Sequence, residues 1–462
     1  MAIVQDLRLL VIAATGAEPT LTAIRRVLGN LGTPYDVVQC APRPADGSTD
    51  RLSSRLADGN HAYYQGVILA TGAVTYHDGE EWPSALTEAE WRALADFESR
   101  FRARRLAWYA YPTADYGFGP VEATTDSESA PVDAWLTDAG RTVFPYVVAE
   151  RGLRIGGAHT YLARPLSMGT VPLLVDSAGH AVVAIHLLPD GRETLAATFD
   201  SNERSLPGLL LGYGFVNWVT RGLFLGERRV HASAQVDDVL TDGELWVEST
   251  PCGTDPEHTG HRFSIDAVDL RRVAEWQRRV RRGALTADFR LDMVFCGAGF
   301  EPEGAPSGLA DEARRLRAEF RWTNHTYSHE RVDSAGYEMS LREIMANLQA
   351  AANESLPDFC PFVLVTPNHS GLGNPRFLRA ARHAGIRYLV ADTSRPGYDN
   401  PSPNAAIRSG IEPGIVFIPR RPNCLWFNVS RPEEWVAEYN CVYRSFWGRD
   451  LSYEEILERE SD

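Results

Sequence analysis

The residues best suited to chemistry are two histidines four positions apart and a pair of adjacent aspartates upstream. The histidines lie in Asn324-His325-Thr326-Tyr327-Ser328-His329, and the carboxylates are Asp237 and Asp238. On a helix, residues four apart lie one turn apart on the same face, so both imidazoles would face one divalent metal ion. A carboxylate from a separate strand end would complete a three-ligand set and leave a position for water. The spacing therefore predicts a hydrolytic metal site.

The aspartate pair follows a stretch, residues 230–236, that we interpret as a strand. Adjacent residues on a strand point to opposite faces, but at the exit from a strand both can turn into one cleft. One carboxylate can then bind the metal while the other accepts a proton from water. A solvated acidic turn and two surface histidines are the alternative interpretations of the same residues.

Elements that could position these groups alternate along most of the chain. The first ~115 residues read as strands and helices in turn, which predicts a parallel sheet with right-handed crossovers. Residues 117–201 are rich in strand patterns, and repeated βα units return from residue 229. Such units favour a barrel-like sheet whose catalytic groups collect at the carboxyl ends of the strands. The predicted segments are strands 9–14, 35–38, 66–72, 106–111, 171–175, 181–186, 193–199, 291–295, 362–365 and 388–391, and helices 21–31, 87–105, 206–224, 266–282, 309–320, 341–352 and 376–384.

Composition excludes several classes of function. The formal net charge of -15 argues against a nucleic-acid binder, which would carry a basic face. The chain has no lysine, which rules out Schiff-base chemistry and a phosphate-loop lysine. We find no run long enough for a membrane span and no signal-peptide pattern at the start, so we expect a cytoplasmic protein or a trimmed secreted one.

The cysteines do not define a disulfide framework. We interpret them mainly as buried free thiols, with one or two disulfides in the C-terminal half as the alternative. They are Cys40, Cys252, Cys296, Cys360, Cys424 and Cys441.

The two motifs resemble those of the polysaccharide deacetylase family, the NodB-homology group. Its first motif ends in two aspartates, as at Asp237-Asp238, and its second is matched by residues 325–329. The longer runs 235–238 and 324–330 are similar to the group that includes fungal galactosaminogalactan deacetylase and the Pel polysaccharide deacetylase. The resemblance implies Asp237 as general base and Asp238, His325 and His329 as ligands, usually to Zn2+.

Two family features are absent from their usual places. The third motif normally has an arginine two positions before a proline, whereas residues 366–371 contain none. The late general-acid histidine is also missing, so His369 is our candidate for protonating the leaving amine, with a substrate contact as its other active-site role. Aromatic residues that could stack on sugar rings are Trp322, Tyr327, Tyr398 and Trp426.

The N-terminal part resembles amidotransferase-like folds through residues 66–72 and 106–111. The nucleophile position is occupied by Pro112-Thr113 and not by cysteine, so we expect no amidotransferase activity. The predicted fold class is thus α/β. Its predicted parts are an amidotransferase-like or flavodoxin-like domain at 1–116, completed by 190–226, a β-rich inserted module at 117–189 that could bind carbohydrate, and a distorted (β/α) barrel deacetylase domain at 227–462.

The predicted function is metal-dependent removal of N-acetyl groups from an amino-sugar polysaccharide, including polymers that contain N-acetylgalactosamine. The expected partner is that polysaccharide or its oligosaccharides, with no nucleic acid and no membrane span. Two alternatives stay open: a carbohydrate-binding protein with an impaired site, and a deacetylase of a small N-acetylated metabolite. Metal content and activity on polymer against monomer distinguish them.

Overall fold

The structure is a computed structural model that describes residues 3–46, 49–126, 130–148, 152–166, 168–229, 231–247, 261–301, 308–392, 406–420 and 429–461. The chain divides into two compact units, Met1–Val230 and His231–Asp462. Both are built from strands and helices, so the predicted α/β class is confirmed. No helix in these described ranges is long and apolar enough to cross a membrane.

The first unit centres on a nine-stranded sheet in the order β10-β9-β12-β13-β14-β7-β6-β2-β3. Strands β14, β7, β6, β2 and β3 are parallel neighbours, whereas β13, β12, β9 and β10 continue the sheet in antiparallel fashion. The strands are β1 Val4–Gln5, β2 Leu9–Ala13, β3 Tyr35–Gln39, β4 Ala57–Asp58, β5 His61–Ala62, β6 Gly66–Leu69, β7 Arg104–Ala107, β8 Phe118–Asp126, β9 Val132–Leu136, β10 Leu153–Ile155, β11 His159–Pro165, β12 Thr170–Asp176, β13 Ala181–Leu187 and β14 Glu193–Ala197. The helices are α1 Pro19–Leu31, α2 Ser53–Leu56, α3 Glu88–Phe101, α4 Asp138–Val143 and α5 Leu206–Val219.

Strand β2 shows why this sheet is buried on both faces. Its alternate residues enter two different cores, with Leu9 and Val11 on one face and Leu10 and Ile12 on the other. A parallel strand covered by helices on both sides needs such a continuous apolar run.

The second unit holds a seven-stranded sheet of half-barrel form, in the order β15-β18-β19-β20-β21-β23-β22. All neighbours are parallel except the β22–β23 pair. The strands are β15 Gln235–Val236, β16 Gly243–Glu244, β17 Arg262–Phe263, β18 Asp292–Phe295, β19 Arg321–Asn324, β20 Val363–Val365, β21 Tyr388–Asp392, β22 Ile407–Arg408 and β23 Val416–Arg420. The helices are α6 Ala267–Val280, α7 Leu309–Leu316, α8 Tyr337–Asn353, α9 Pro375–His383, α10 Pro432–Trp447 and α11 Tyr453–Ser461.

The two faces of this sheet are packed unequally. Met293 and Phe295 enter a large core formed with α6 and α7, whereas Val294 joins only a small cluster with Val365 and Val390. Helices therefore cover the outer face of the half-barrel.

The described cysteines include both free thiols and a disulfide-bonded residue. Cys40 and Cys296 are buried free thiols and Cys360 is an exposed one, while Cys441 is disulfide-bonded. Cys252 and Cys424 lie outside the described residues.

Candidate active site

The aspartate and the two histidines predicted as metal ligands meet at the carboxyl ends of strands in the second unit. Asp238 follows β15, and His325 and His329 follow β19. The Nε2 atoms of His325 and His329 lie 3.4 Å and 3.1 Å from Asp238 Oδ1. One ligand atom from each residue lies within 4.8 Å of the others, so the three side chains can hold one cation between them.

The histidine segment is not a helix, and that expectation is wrong. Residues 325–329 form an irregular loop in which Thr326 and His329 have positive φ values of 66° and 63°. The loop begins as a turn because the Asn324 side chain accepts a hydrogen bond from the Thr326 N–H at 2.9 Å. Such side-chain bonds compete with helix formation, so the imidazoles converge through a left-handed loop and not through helical periodicity.

Helix α8 holds this loop from behind. The Glu343 carboxylate accepts hydrogen bonds from the backbone N–H groups of Tyr327 at 3.1 Å and Ser328 at 2.8 Å, and from the Ser328 hydroxyl at 2.8 Å. One turn further along, the fully buried Asn347 donates to Asn324 Oδ1 at 2.7 Å. These bonds stabilise backbone conformations that nonglycine residues rarely adopt.

The proton on His325 can be placed because its Nδ1 lies 2.8 Å from the Val365 carbonyl oxygen. A carbonyl only accepts, so Nδ1 donates and the Nε2 of the neutral ring presents a lone pair. That lone pair faces Asp238 Oδ1, and two acceptors facing each other require a cation or a proton between them. The donor set therefore fits a divalent metal ion, as the resemblance to polysaccharide deacetylases implies.

The electrostatics of Asp238 agree with this fit. Burial raises the pKa of its carboxyl group, but when a proton takes the place of the cation, hydrogen bonds and charge from His325 and His329 outweigh burial and hold that pKa well below its usual range. Cys296 donates weakly to the His325 carbonyl at 3.4 Å. Burial raises the pKa of its thiol far above the usual value, and Cys296 is not among the converging metal-ligand donors of the described chain.

Asp237, the predicted base, is paired with an arginine that the sequence analysis missed. Arg420 Nη1 donates to Asp237 Oδ2 at 2.7 Å. Within the described part of the chain, the buried Asp237 Oδ1 has no hydrogen-bond partner. One oxygen is therefore held by the cation, and the other is available to a water or substrate proton.

The hydrogen bond between Asp237 and Arg420 also shows that the sheet is strongly curled. Asp237 follows β15 at one edge, and Arg420 ends β23, five positions further along the sheet. A flat sheet would hold strands five positions apart about 24 Å from each other, so only a strongly curled sheet brings these side chains together. The signal in the sequence was a cation at the end of an apolar run, residues 415–418, which we did not assign as a strand.

His369, the predicted acid, follows strand β20. It ends a 3-10 turn, Pro367–His369, that follows β20, and both Asn368 and His369 have positive φ. The turn is anchored by the Val332 N–H, which donates to Ser370 Oγ at 3.0 Å. His369 is not one of the converging metal-ligand donors in the described chain. Its predicted role as acid stays a prediction.

Two of the four aromatic candidates for stacking on sugar rings lie among the described residues. Trp322 is 1% exposed and packs against Phe295 and Phe300, so its suggested stacking role is wrong. Tyr327 donates to Glu301 at 2.9 Å. Tyr398 and Trp426 lie outside the described residues.

Comparison with known proteins connects this site to a family. Residues 311–462 match the model of the Agd3 deacetylase domain, and residues 6–152 match that of Agd3 CBM87. No curated protein matches the chain significantly. Fold, motifs and family match define a carbohydrate deacetylase, and the prediction of that class is confirmed. The two family models confirm the predicted resemblance to the galactosaminogalactan type of polysaccharide deacetylase.

One solved structure resembles the fold over almost the whole chain. The crystal structure of Agd3, a novel carbohydrate deacetylase, matches with a TM-score of 0.78 and 20% identity, covering 99% of this chain and 76% of that one. A weaker match is a putative GMP synthase protein from Thermoplasma acidophilum. It covers 47% of this chain and 96% of its own, at 13% identity and a TM-score of 0.29.

Proposed function

We propose that the second unit removes acetyl groups from the N-acetylated amino sugars of a polysaccharide, with N-acetylgalactosamine polymers as the first candidates. The observation that carries this proposal is the convergence of Asp238, His325 and His329 within 4.8 Å at the strand ends that also carry Asp237. The match of residues 311–462 to a deacetylase domain supports it.

We assign the metal-ligand role to Asp238, His325 and His329, with Zn2+ as the expected ion. A divalent cation held there supplies Lewis-acid polarisation of the acetamide carbonyl and of water. Imidazole and carboxylate donors suit Zn2+ among the common divalent ions.

Asp237 is the proposed general base. Its Oδ1 accepts the proton of the water that attacks the acetamide carbon, while Arg420 holds Oδ2 and keeps the carboxylate in one orientation. The C–N bond then breaks, acetate leaves, and the departing amine takes up a proton. His369 is the proposed donor of that proton.

We propose the domain division that the sequence predicts, with a boundary near residues 226 and 227. The two compact units meet at residues 230 and 231, which supports a boundary in this region. The match of residues 6–152 to a carbohydrate-binding module favours a polymer over a small metabolite as substrate.

The test is acetate release from N-acetylgalactosamine and N-acetylglucosamine oligomers by the wild type and by Asp238→Ala, with metal analysis of both proteins. The proposal expects one equivalent of bound metal and acetate release in the wild type, and loss of both in the variant. Acetate release that survives the substitution would remove the proposed catalytic role. A metal-free, inactive wild type that binds the oligomers would favour a binding protein instead.

A further inference from the structure

A cluster of aromatic rings lies at the carboxyl edge of the nine-stranded sheet in the first unit. We call it the tyrosine platform, and its members are Tyr109, Tyr111, Tyr161 and His159. Tyr109 and Tyr111 follow the end of β7, and His159 and Tyr161 come from β11. In open α/β sheets, ligands bind beyond the carboxyl ends of the strands, so this edge is the expected place for a ligand.

Backbone hydrogen bonds fix the platform to the sheet. The Tyr161 N–H donates to the Thr198 carbonyl at 2.9 Å, and the Asp200 N–H donates to the His159 carbonyl at 3.0 Å. The Ala110 N–H donates to the Ala197 carbonyl at 2.8 Å. Both aromatic segments are therefore attached to the chain that leaves β14.

Tyr161 is the centre of the platform. Its ring stacks on Tyr109 at 5.8 Å with an interplanar angle of 10°, and it meets the edges of Tyr111 at 5.0 Å and His159 at 4.9 Å. Tyr111 is 58% exposed and His159 is exposed, so the cluster is open to solvent. A rigid, exposed group of rings is suited to stacking against the apolar face of a sugar.

Carboxylates border the rings. Asp200 Oδ1 accepts a hydrogen bond from the His159 N–H at 2.8 Å, and Asp126 lies opposite His159 in the β8–β11 register. Burial raises the pKa of Asp200, and the nearby charge of Asp126 raises it further. Negative charge beside π faces attracts cations.

We propose that the tyrosine platform binds the amino-sugar chain in its deacetylated, cationic form, with a sugar ring on Tyr111 and ammonium groups near Asp200 and Asp126. The identity of the polymer rests on the proposed function, but the binding residues are separate from the proposed catalytic ones. Tyr109, Tyr111 and Asp126 fall inside the region matched to a carbohydrate-binding module. The carboxylates favour a chain that carries free amines over a fully acetylated one.

Binding of this kind would keep the polymer attached to the enzyme. A second attachment point raises the effective concentration of the polymer without any change in the catalytic groups. Loss of the platform should therefore raise KM for a long, partly deacetylated polymer about tenfold and leave kcat on a short substrate unchanged.

The direct test uses a β-linked glucosamine hexamer, which cannot be deacetylated further, and calorimetry on the full chain. Tyr111→Ala and Asp200→Asn should each weaken binding about tenfold. Trp82→Ala is the matched control because Trp82 is an exposed aromatic residue of the same unit, 68% exposed, outside the platform. The N-acetylated hexamer, measured in the Asp238→Ala background to prevent turnover, should bind more weakly than the glucosamine hexamer.

The proposal is overturned if the wild type does not bind the glucosamine hexamer, if both platform variants bind it as the wild type does, or if the acetylated hexamer binds as tightly. Circular dichroism and thermal unfolding show that each variant is folded. Because binding of the glucosamine hexamer requires no turnover, an inactive deacetylase site would not affect this result, and the two proposals can fail separately.

Discussion

Two carboxylates, one in each unit, hold low pKa values for different reasons. Burial raises the pKa of Glu90 in the first unit, but Arg51 and the Thr87 N–H lower it below its usual range. Arg51 donates to both carboxylate oxygens at 2.6 Å and 2.9 Å, and the Thr87 N–H donates at 2.9 Å. The pKa of Asp238 in the second unit is also lowered in spite of burial, but its partners are two imidazoles, which are cations only when protonated.

This difference distinguishes a structural carboxylate, Glu90, from a proposed metal ligand, Asp238. Glu90 has a permanent cation and backbone donors, so its charge is compensated within the first unit itself. Asp238 faces a lone pair on His325, whose proton is already given to the Val365 carbonyl. Its compensation must come from an added cation or from a proton on that nitrogen. Substitution at Glu90 should therefore lower stability and preserve the site, whereas substitution at Asp238 should remove metal binding and activity.

The largest effect is expected for Asp238→Ala. Loss of a ligand should lower kcat/KM for acetate release at least about 1000-fold, which corresponds to about 4 kcal/mol of transition-state stabilisation. Measured without metal at alkaline pH, where no proton lies between the two facing acceptors, the free energy of unfolding should not fall, because the substitution removes one of them. A metal-free variant that unfolds much more readily than the metal-free wild type would show that Asp238 is structural.

Arg420→Gln should have the next largest effect. Its cation holds one oxygen of Asp237, and outer partners of this kind are typically worth about 10- to 100-fold in activity. We expect kcat to fall by that factor, with metal content unchanged. Arg420→Lys, which keeps the charge but not the planar fork, should recover part of the activity. Equal kcat in the wild type and the glutamine variant would contradict the pairing.

Glu90→Gln tests the other side of the comparison. The variant removes the charge of a buried carboxylate whose partner Arg51 is 34% exposed, so we expect a loss of about 2 kcal/mol. Hydrogen exchange of the α3 amides measures it. Because the pKa of Glu90 is lowered on folding, its contribution is complete above the unfolded value of 4.5 and is lost as pH falls through the folded value. The difference in the free energy of unfolding between wild type and variant should therefore shrink as the pH falls below 4.5. Acetate release should stay unchanged.

The same two regions show what local sequence could predict. Thr87 and Glu90 form a capping box, and their spacing is enough to indicate one because all its hydrogen bonds lie within one helical turn. The convergence of Asp238, His325 and His329, which we propose as ligands, was also predicted by motif spacing. The conformation of the histidine loop was not, because it depends on Glu343 and Asn347, contributed by α8. The pairing with Arg420 depends on sheet curvature, which no local pattern encodes.

Glu343→Gln is the finest test of this comparison. Its carboxylate accepts two backbone N–H bonds and one hydroxyl bond from the histidine loop, and an amide can replace only part of that acceptance. We expect metal affinity to fall about tenfold and the absorption spectrum of the Co2+-substituted protein to change, with little effect on overall folding. Glu338→Gln, on an exposed position of the same helix, is the matched control and should bind metal as the wild type does. Identical spectra and affinities in both variants would mean that the loop holds its left-handed residues without α8, and that its conformation is encoded by residues 324–329 alone.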